Sequence, residues 1–237
     1  MIDWQKYGPS YTVAPGIKKI GDLPIIEFDD QEDRYLELKK KTKENIFFDP
    51  LFNKDIDQKI VNKIKEILKT EYPNKNFNFN TFEEMGYAIQ EDIAIFHRSN
   101  KLIALHVSFP SSWKPKDKIG LSFASVHAPV PGMQKFLEQE QKYVDMMCTN
   151  IKPIIRYVWG EHSNYLLNPL EPLNGVKVMH TERQTFVGLP KDDLAIFLIR
   201  KKVIPYSDTD TEFQSWYEKQ KLSMSEEQKA YKLVNEV

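Results

Sequence analysis

Residues 179 to 189 read MHTERQTFVGL, and they set a carboxylate, a guanidinium and an amide side by side at Glu182, Arg183 and Gln184. The flanking residues are apolar, and a second apolar run, LAIFLI, follows after a short polar turn, so the pair reads as a β-hairpin. Alternation along a strand puts His180, Glu182 and Gln184 on one face and Thr181, Arg183 and Thr185 on the other. If both faces are covered, these groups cannot stay unpaired, because an unpaired buried charge costs on the order of several kcal/mol. Two arrangements satisfy that demand. Either Glu182 and Arg183 enter internal salt bridges with residues such as Arg156 or Asp92, or one face lines a polar pocket for a ligand.

The histidines are the other candidates for chemistry. There are five, His97, His106, His127, His162 and His180, and no two stand at the close spacing of a zinc-binding pair. His127 ends a helical face that includes Gly120, Phe123 and Ala124, so a flat ligand can approach past small residues toward the imidazole. Pro129 and Pro131 fix the exit of the chain just beyond it. The simpler account is a C-terminal helix residue whose cation favours the helix dipole. The one cysteine, Cys148, excludes an internal disulfide framework and any multi-cysteine zinc or iron–sulfur site, and is expected to pack as a small apolar residue. Neither GxGxxG nor GxxxxGK[ST] occurs, nor HExxH, nor GxSxG, which removes the usual dinucleotide, P-loop, zincin and serine-hydrolase readings.

These residues need a frame. A chain of 237 residues can bury a substantial core, and charged residues at 28% are nearly balanced, with a net charge of -1. A nucleic-acid partner would ask for a basic surplus that is absent. The longest apolar runs, such as Leu194 to Ile199, fall far short of the roughly 20 residues that span a bilayer. The N-terminus lacks a positive region followed by an apolar stretch, so no secretory signal is expected, and a reducing cytoplasm is the simplest compartment. Helices are expected near 33–42, at DQKIVNKIKEILKTEY with Asp57 as its cap, over Lys118 to His127, and over 133–149 as one longer helix. IAIF and LIALHVSF form a second hairpin, and IKPIIRYVWGEH a further strand. Capping boxes at Thr209 with Glu212 and Ser223 with Glu226 mark C-terminal helices. The sum is one α+β domain over residues 1–237, a central antiparallel sheet flanked by helices.

Several strings also resemble a known family. QEDIAIF, VSFPSSWKPKDKIGLSFASVHAPVPG, IIRYVW, TERQTFVGLP followed by LAIFLIR, and EEQKAYK are similar, in order and spacing, to the heme-dependent oxidative N-demethylases. The opening PGIKKIGDLPIIEFDD extends the likeness to about residues 9–232. The resemblance implies a PAS-like fold holding heme b, with histidine ligation of the iron. It implies oxidative removal of a methyl group from a secondary amine with O2, releasing formaldehyde, and electrons delivered by a separate flavin and iron–sulfur reductase. It makes His127 of HAPVP the leading axial ligand and metal-binding residue, with His162 and His106 as alternatives. It assigns Arg183, Arg156, Trp159, Trp113 and Lys118 to the cofactor pocket, the basic groups pairing with heme propionates, and Glu182 to orienting a substrate ammonium or relaying protons. His180, RYVW and FVGLP depart from the family pattern near that pocket, which bears on substrate choice. A heme or ligand sensor of the same fold without turnover, and a structural protein whose ERQT run is an ion-pair network, are the competing readings.

Overall fold

The computed structural model describes residues 4–233 except 9, 14, 15, 43, 112 and 174. In chain order its elements are β1 (Lys18–Lys19), α1 (Glu32–Lys41), β2 (Ile46–Phe48), α2 (Lys54–Glu71), α3 (Phe82–Gly86), β3 (Asp92–His97) and β4 (Lys101–His106). There follow α4 (Phe123–His127), α5 (Gln134–Leu137), α6 (Glu140–Thr149), β5 (Ile154–His162), β6 (Val178–Leu189), β7 (Leu194–Pro205), α7 (Thr211–Leu222) and α8 (Glu226–Lys232). The strands form one seven-stranded sheet in the order β1-β5-β6-β7-β3-β4-β2, every pairing antiparallel. This is the α+β architecture expected from the sequence, a central antiparallel sheet flanked by helices.

Directly paired residues of antiparallel strands share a face, so the register sorts the sheet into two sides. One side carries Ile93, Ile95, Val187, Leu189, Leu194, Ile196 and Leu198, and α2 closes it with Ile60, Val61, Ile64, Ile67 and Leu68. Those five recur at the helical period, which is why the sequence shows this helix clearly. Its cap is Asn53, whose side chain accepts from the N–H groups of Asp55 at 3.0 Å and Ile56 at 3.1 Å. Asp57, expected as the cap, lies inside the first turn and instead accepts from the Phe82 N–H at 2.8 Å, tying α2 to α3.

The other side carries Ala94, Phe96, Ile154, Phe186 and Ala195, packed against Val144, Met147 and Cys148 of α6. Gly188 permits this contact: a Cβ there would meet the carbonyl oxygens of Asn150 at 2.6 Å and Met147 at 2.7 Å. Cys148 is fully buried, and burial pushes its thiol up to about 12.

Two expected helices are interrupted. Residues 118–127 do not run as one helix, because Gly120 adopts φ +77° and donates its N–H to Leu102 O on β4 at 2.7 Å. Ser122 then caps a fresh turn, accepting from Ser125 N–H. Residues 133–149 divide into α5 and α6 around Glu138 and Gln139. The C-terminal caps also shift along the chain: Asp210 caps α7, and Ser225 with Gln228 forms the capping box of α8.

Candidate functional site

A cavity of about 530 Å³, counted to its open mouth, lies between the second face of the sheet and α4–α6. Its walls are aromatic and flexible apolar groups, Phe96, Phe186 and Phe197 from the strands and Phe123, Phe136, Tyr143, Met146 and Met147 from the helices. Three polar side chains reach it: His127, Arg156 and Gln184. That is the composition of a small-molecule site, apolar walls with a few placed polar groups.

His127 stands on the cavity wall. It closes α4, and its ring Nδ1 lies 2.8 Å from the Phe123 carbonyl oxygen one turn back. A carbonyl only accepts, so Nδ1 carries the proton and Nε2 is left with the lone pair. Burial, with help from the neighbouring charges of Arg156 and Lys118, brings the imidazole down to about 4 and so keeps it neutral at pH 7. That disfavours the simpler account, a histidinium at the helix end. Phe123 backs the ring at 4.2 Å between centroids.

Arg156 enters from β5 opposite Gln184 of β6. Burial disfavours its charge while Glu182 favours it. Gln184 donates through Nε2 to Glu182 at 2.6 Å, and Ser111 donates its hydroxyl to the other Glu182 oxygen at 3.0 Å. Glu182 therefore stands one residue behind the cavity wall and reaches it through Gln184. Lys118 is held nearby by donation to Val126 O at 3.2 Å, and Trp113 packs against the apolar cluster of this face beside Phe123 and Val126.

Two expected pocket residues lie across the sheet. Arg183 points to the face opposite Glu182, as alternation requires, where its guanidinium donates to Ile25 O at 3.1 Å and to Pro24 O, with Glu27 at 4.0 Å. It anchors the N-terminal segment and does not reach the cavity. Trp159 sits on that same far face in an aromatic cluster with Trp216 at 5.5 Å and Tyr217 at 5.7 Å. Of the alternative axial residues, His106 is fully buried on the α2 side, its ring seated over Gly86 and against Tyr87 at 4.6 Å. His162 is on the cavity side of β5 but at the end of the strand, 5.3 Å from the His180 ring. Only His127 among the three lines the cavity.

A family model, haem-dependent oxidative N-demethylase, alpha subunit-like, matches residues 48–237. The chain belongs to that family. The matched span takes in every residue that lines the cavity except Ile17. A search of the curated proteins finds no match. The family's description carries heme dependence and the status of one subunit among others. Among the described residues no group of three histidine, cysteine or carboxylate side chains is placed to hold a bare metal ion, and no helix is long and apolar enough to cross a membrane.

Some residues around the site had no local signature. Ser111, 71 positions before Glu182, reaches it from the loop after β4 by a hydrogen bond, and the sheet register sets Lys201, 19 positions after it, opposite on β7.

Proposed function

We propose that this chain is the heme-carrying subunit of an oxidative N-demethylase. It would remove a methyl group from a small methylamine with O2 and two externally supplied electrons, so that R–NH–CH3 yields R–NH2, formaldehyde and water. The observation that carries this reading is His127: a neutral imidazole, Nδ1 committed to a backbone carbonyl, on the wall of an aromatic cavity inside the matched family span. Flat aromatic walls and one available imidazole nitrogen fit heme b, which would supply the oxidative chemistry when bound.

The chain's own residues do the rest. His127 would hold the iron, and its bond to Phe123 O fixes the ring orientation and raises its basicity. Arg156 is the cation on the cavity wall that suits a propionate, with Lys118 close by. Glu182, oriented by Ser111 and Gln184, accepts from a substrate ammonium or passes protons inward. The aromatic walls exclude water from the reacting methyl group. A PAS-like classification agrees with one antiparallel sheet whose face is closed by the helical segment between β4 and β5. With one cysteine among these 237 residues, an iron–sulfur donor would lie outside them, in our reading on a separate reductase, and a cytoplasmic setting suits that exchange.

The test is the visible spectrum of protein produced with heme supplied, beside His127→Ala. A strong Soret band that shifts or vanishes in the variant is expected. An unchanged band in the variant would move the ligand to His162 or His106, and no band in either protein would end the heme reading.

A further inference from the structure

Gln184 is the near end of a polar row. On the same face of β6, Glu182 and His180 follow at successive alternate positions, with Lys201 of β7 opposite Glu182 and Gly160 of β5 opposite His180. His162 ends the row on β5. Its far end is closed from solvent, with Lys201 1% exposed, His180 8% and His162 9%, while Glu182 and Gln184 are half-buried.

Three cations share this space with one carboxylate. Arg156, Lys201 and Lys232 all lie near enough to Glu182 for its charge to favour their protonated forms. Glu182 itself is engaged by neutral donors, Ser111 and Gln184. Lys232 donates to Trp159 O at 2.7 Å. Among the described residues the Lys201 ammonium has no hydrogen-bond acceptor, and Arg156 Nε and both ring nitrogens of His162 have no partner either. The Tyr165 ring lies 5.6 Å from the Lys201 ammonium, which comforts a cation without accepting a directed bond. Asp92, the other carboxylate that Lys201 feels, is occupied by the N–H groups of Ser108 and Phe109 and by Lys39 at 3.8 Å. An ammonium buried this deeply without an acceptor is costly to the fold, and the surplus of positive charge over the single carboxylate asks for an anion.

We propose that this polar row, which adjoins the cavity through Gln184, is a carboxylate-binding subsite centred on Lys201. It suits the carboxylate of a zwitterionic N-methyl amino acid, whose methylammonium group faces Glu182. A bare dialkylammonium would add a fourth cation to a site that already holds three. The methylamine half of this substrate rests on the demethylase reading above, whereas the carboxylate half rests on the charge arrangement alone. A heme propionate offers the same carboxylate chemistry, and the experiment separates the two sources.

Cofactor-free protein is titrated calorimetrically with N-methylglycine and with dimethylamine, beside Lys201→Met. Saturable binding of N-methylglycine, absent for dimethylamine and weakened at least tenfold in the variant, assigns the subsite to substrate. A parallel titration uses hemin and its dimethyl ester. A preference for hemin that Lys201→Met abolishes assigns the subsite to a propionate instead. Lys201-independent behaviour in both arms overturns the carboxylate subsite, and it does so whatever the Soret experiment shows. Thermal melting of the free proteins is a second readout: the variant, relieved of an unpaired ammonium, is expected to melt at or above the wild type. A clear loss of melting temperature would mean that the fold already pairs Lys201, and would overturn the proposal even where ligand titration of the variant fails.

Discussion

Gly160→Ala tests how tightly the polar row is packed. A Cβ built at this position would sit 2.5 Å from Cε1 and 2.9 Å from Nε2 of the His180 ring. Non-bonded carbons prefer about 3.5–4.0 Å, so the ring must retreat by about 1 Å. It has little room, since His180 is buried and the His162 ring stands 5.3 Å away. Forcing an extra methyl into such a site costs about 1–3 kcal/mol, and at about 2–4 °C per kcal/mol for a chain of this size the melting temperature should fall by about 2–12 °C. The cause can be isolated. In a His180→Ala background the obstacle is gone, and the same glycine replacement should cost nothing or gain about 0.4–1 kcal/mol through the unfolded chain's lost freedom. Urea denaturation of the four proteins closes the cycle, with an expected coupling of about 1–3 kcal/mol. Equal cost in both backgrounds would show that the ring contact is not what Gly160 serves.

Two further outcomes follow from groups already placed. Burial brings His127 and His162 down to about 4 and His106 to about 2, and holds His180 well below its ordinary value, so the native state refuses protons that the unfolded chain accepts below pH 6.5. Their stabilising contribution is complete above that pH and is lost as pH falls toward 4, at up to about 1.4 kcal/mol per pH unit for each histidine, so urea unfolding at pH 5.5 should be markedly easier than at pH 7; equal stability at the two values would contradict the burial of these rings. Arg183→Met should lower stability by about 2–4 kcal/mol, because two backbone carbonyls lose their donor, yet leave hemin affinity unchanged; a hemin titration in which affinity falls with stability would place Arg183 in the cofactor site after all.

The sheet was the most legible part of this chain. Alternation in β6 announces which of its side chains share a face, and Arg183 and Glu182 do part company across the sheet as the period requires. The apolar period of α2 is as plain. Helix boundaries were harder, because they are settled by partners that the local sequence does not name. Gly120 breaks its segment to hydrogen-bond β4, and Ser223, which also satisfies a capping-box spacing, spends its hydroxyl on Gln220 O and the Tyr11 N–H. Within the site, the family resemblance pointed to His127, which lines the cavity, but also to Arg183 and Trp159, which do not touch it, because a motif names residues without saying which face of the sheet each takes. Lys201 carried no signal, being the middle of a basic run, IRKKV, whose alternate members face opposite ways.

Gly188 has a mechanical corollary. With no side chain at Gly188, the end of α6 packs directly on β6: any Cβ there would come within 2.6–2.9 Å of the carbonyl oxygens of Asn150, Met147 and Cys148. Met146 and Met147 therefore stand on a wall that backs straight onto the sheet. The facing wall is pinned to β4 by two backbone bonds, Gly120 N–H to Leu102 O and Leu102 N–H to Leu121 O, and beyond them by side chains: Asn100 to the Phe123 N–H, Glu140 to the Ala124 N–H, and Lys118 to Val126 O. His127 rides on that second, side-chain-held part, so the position of its ring depends on groups drawn from three other segments.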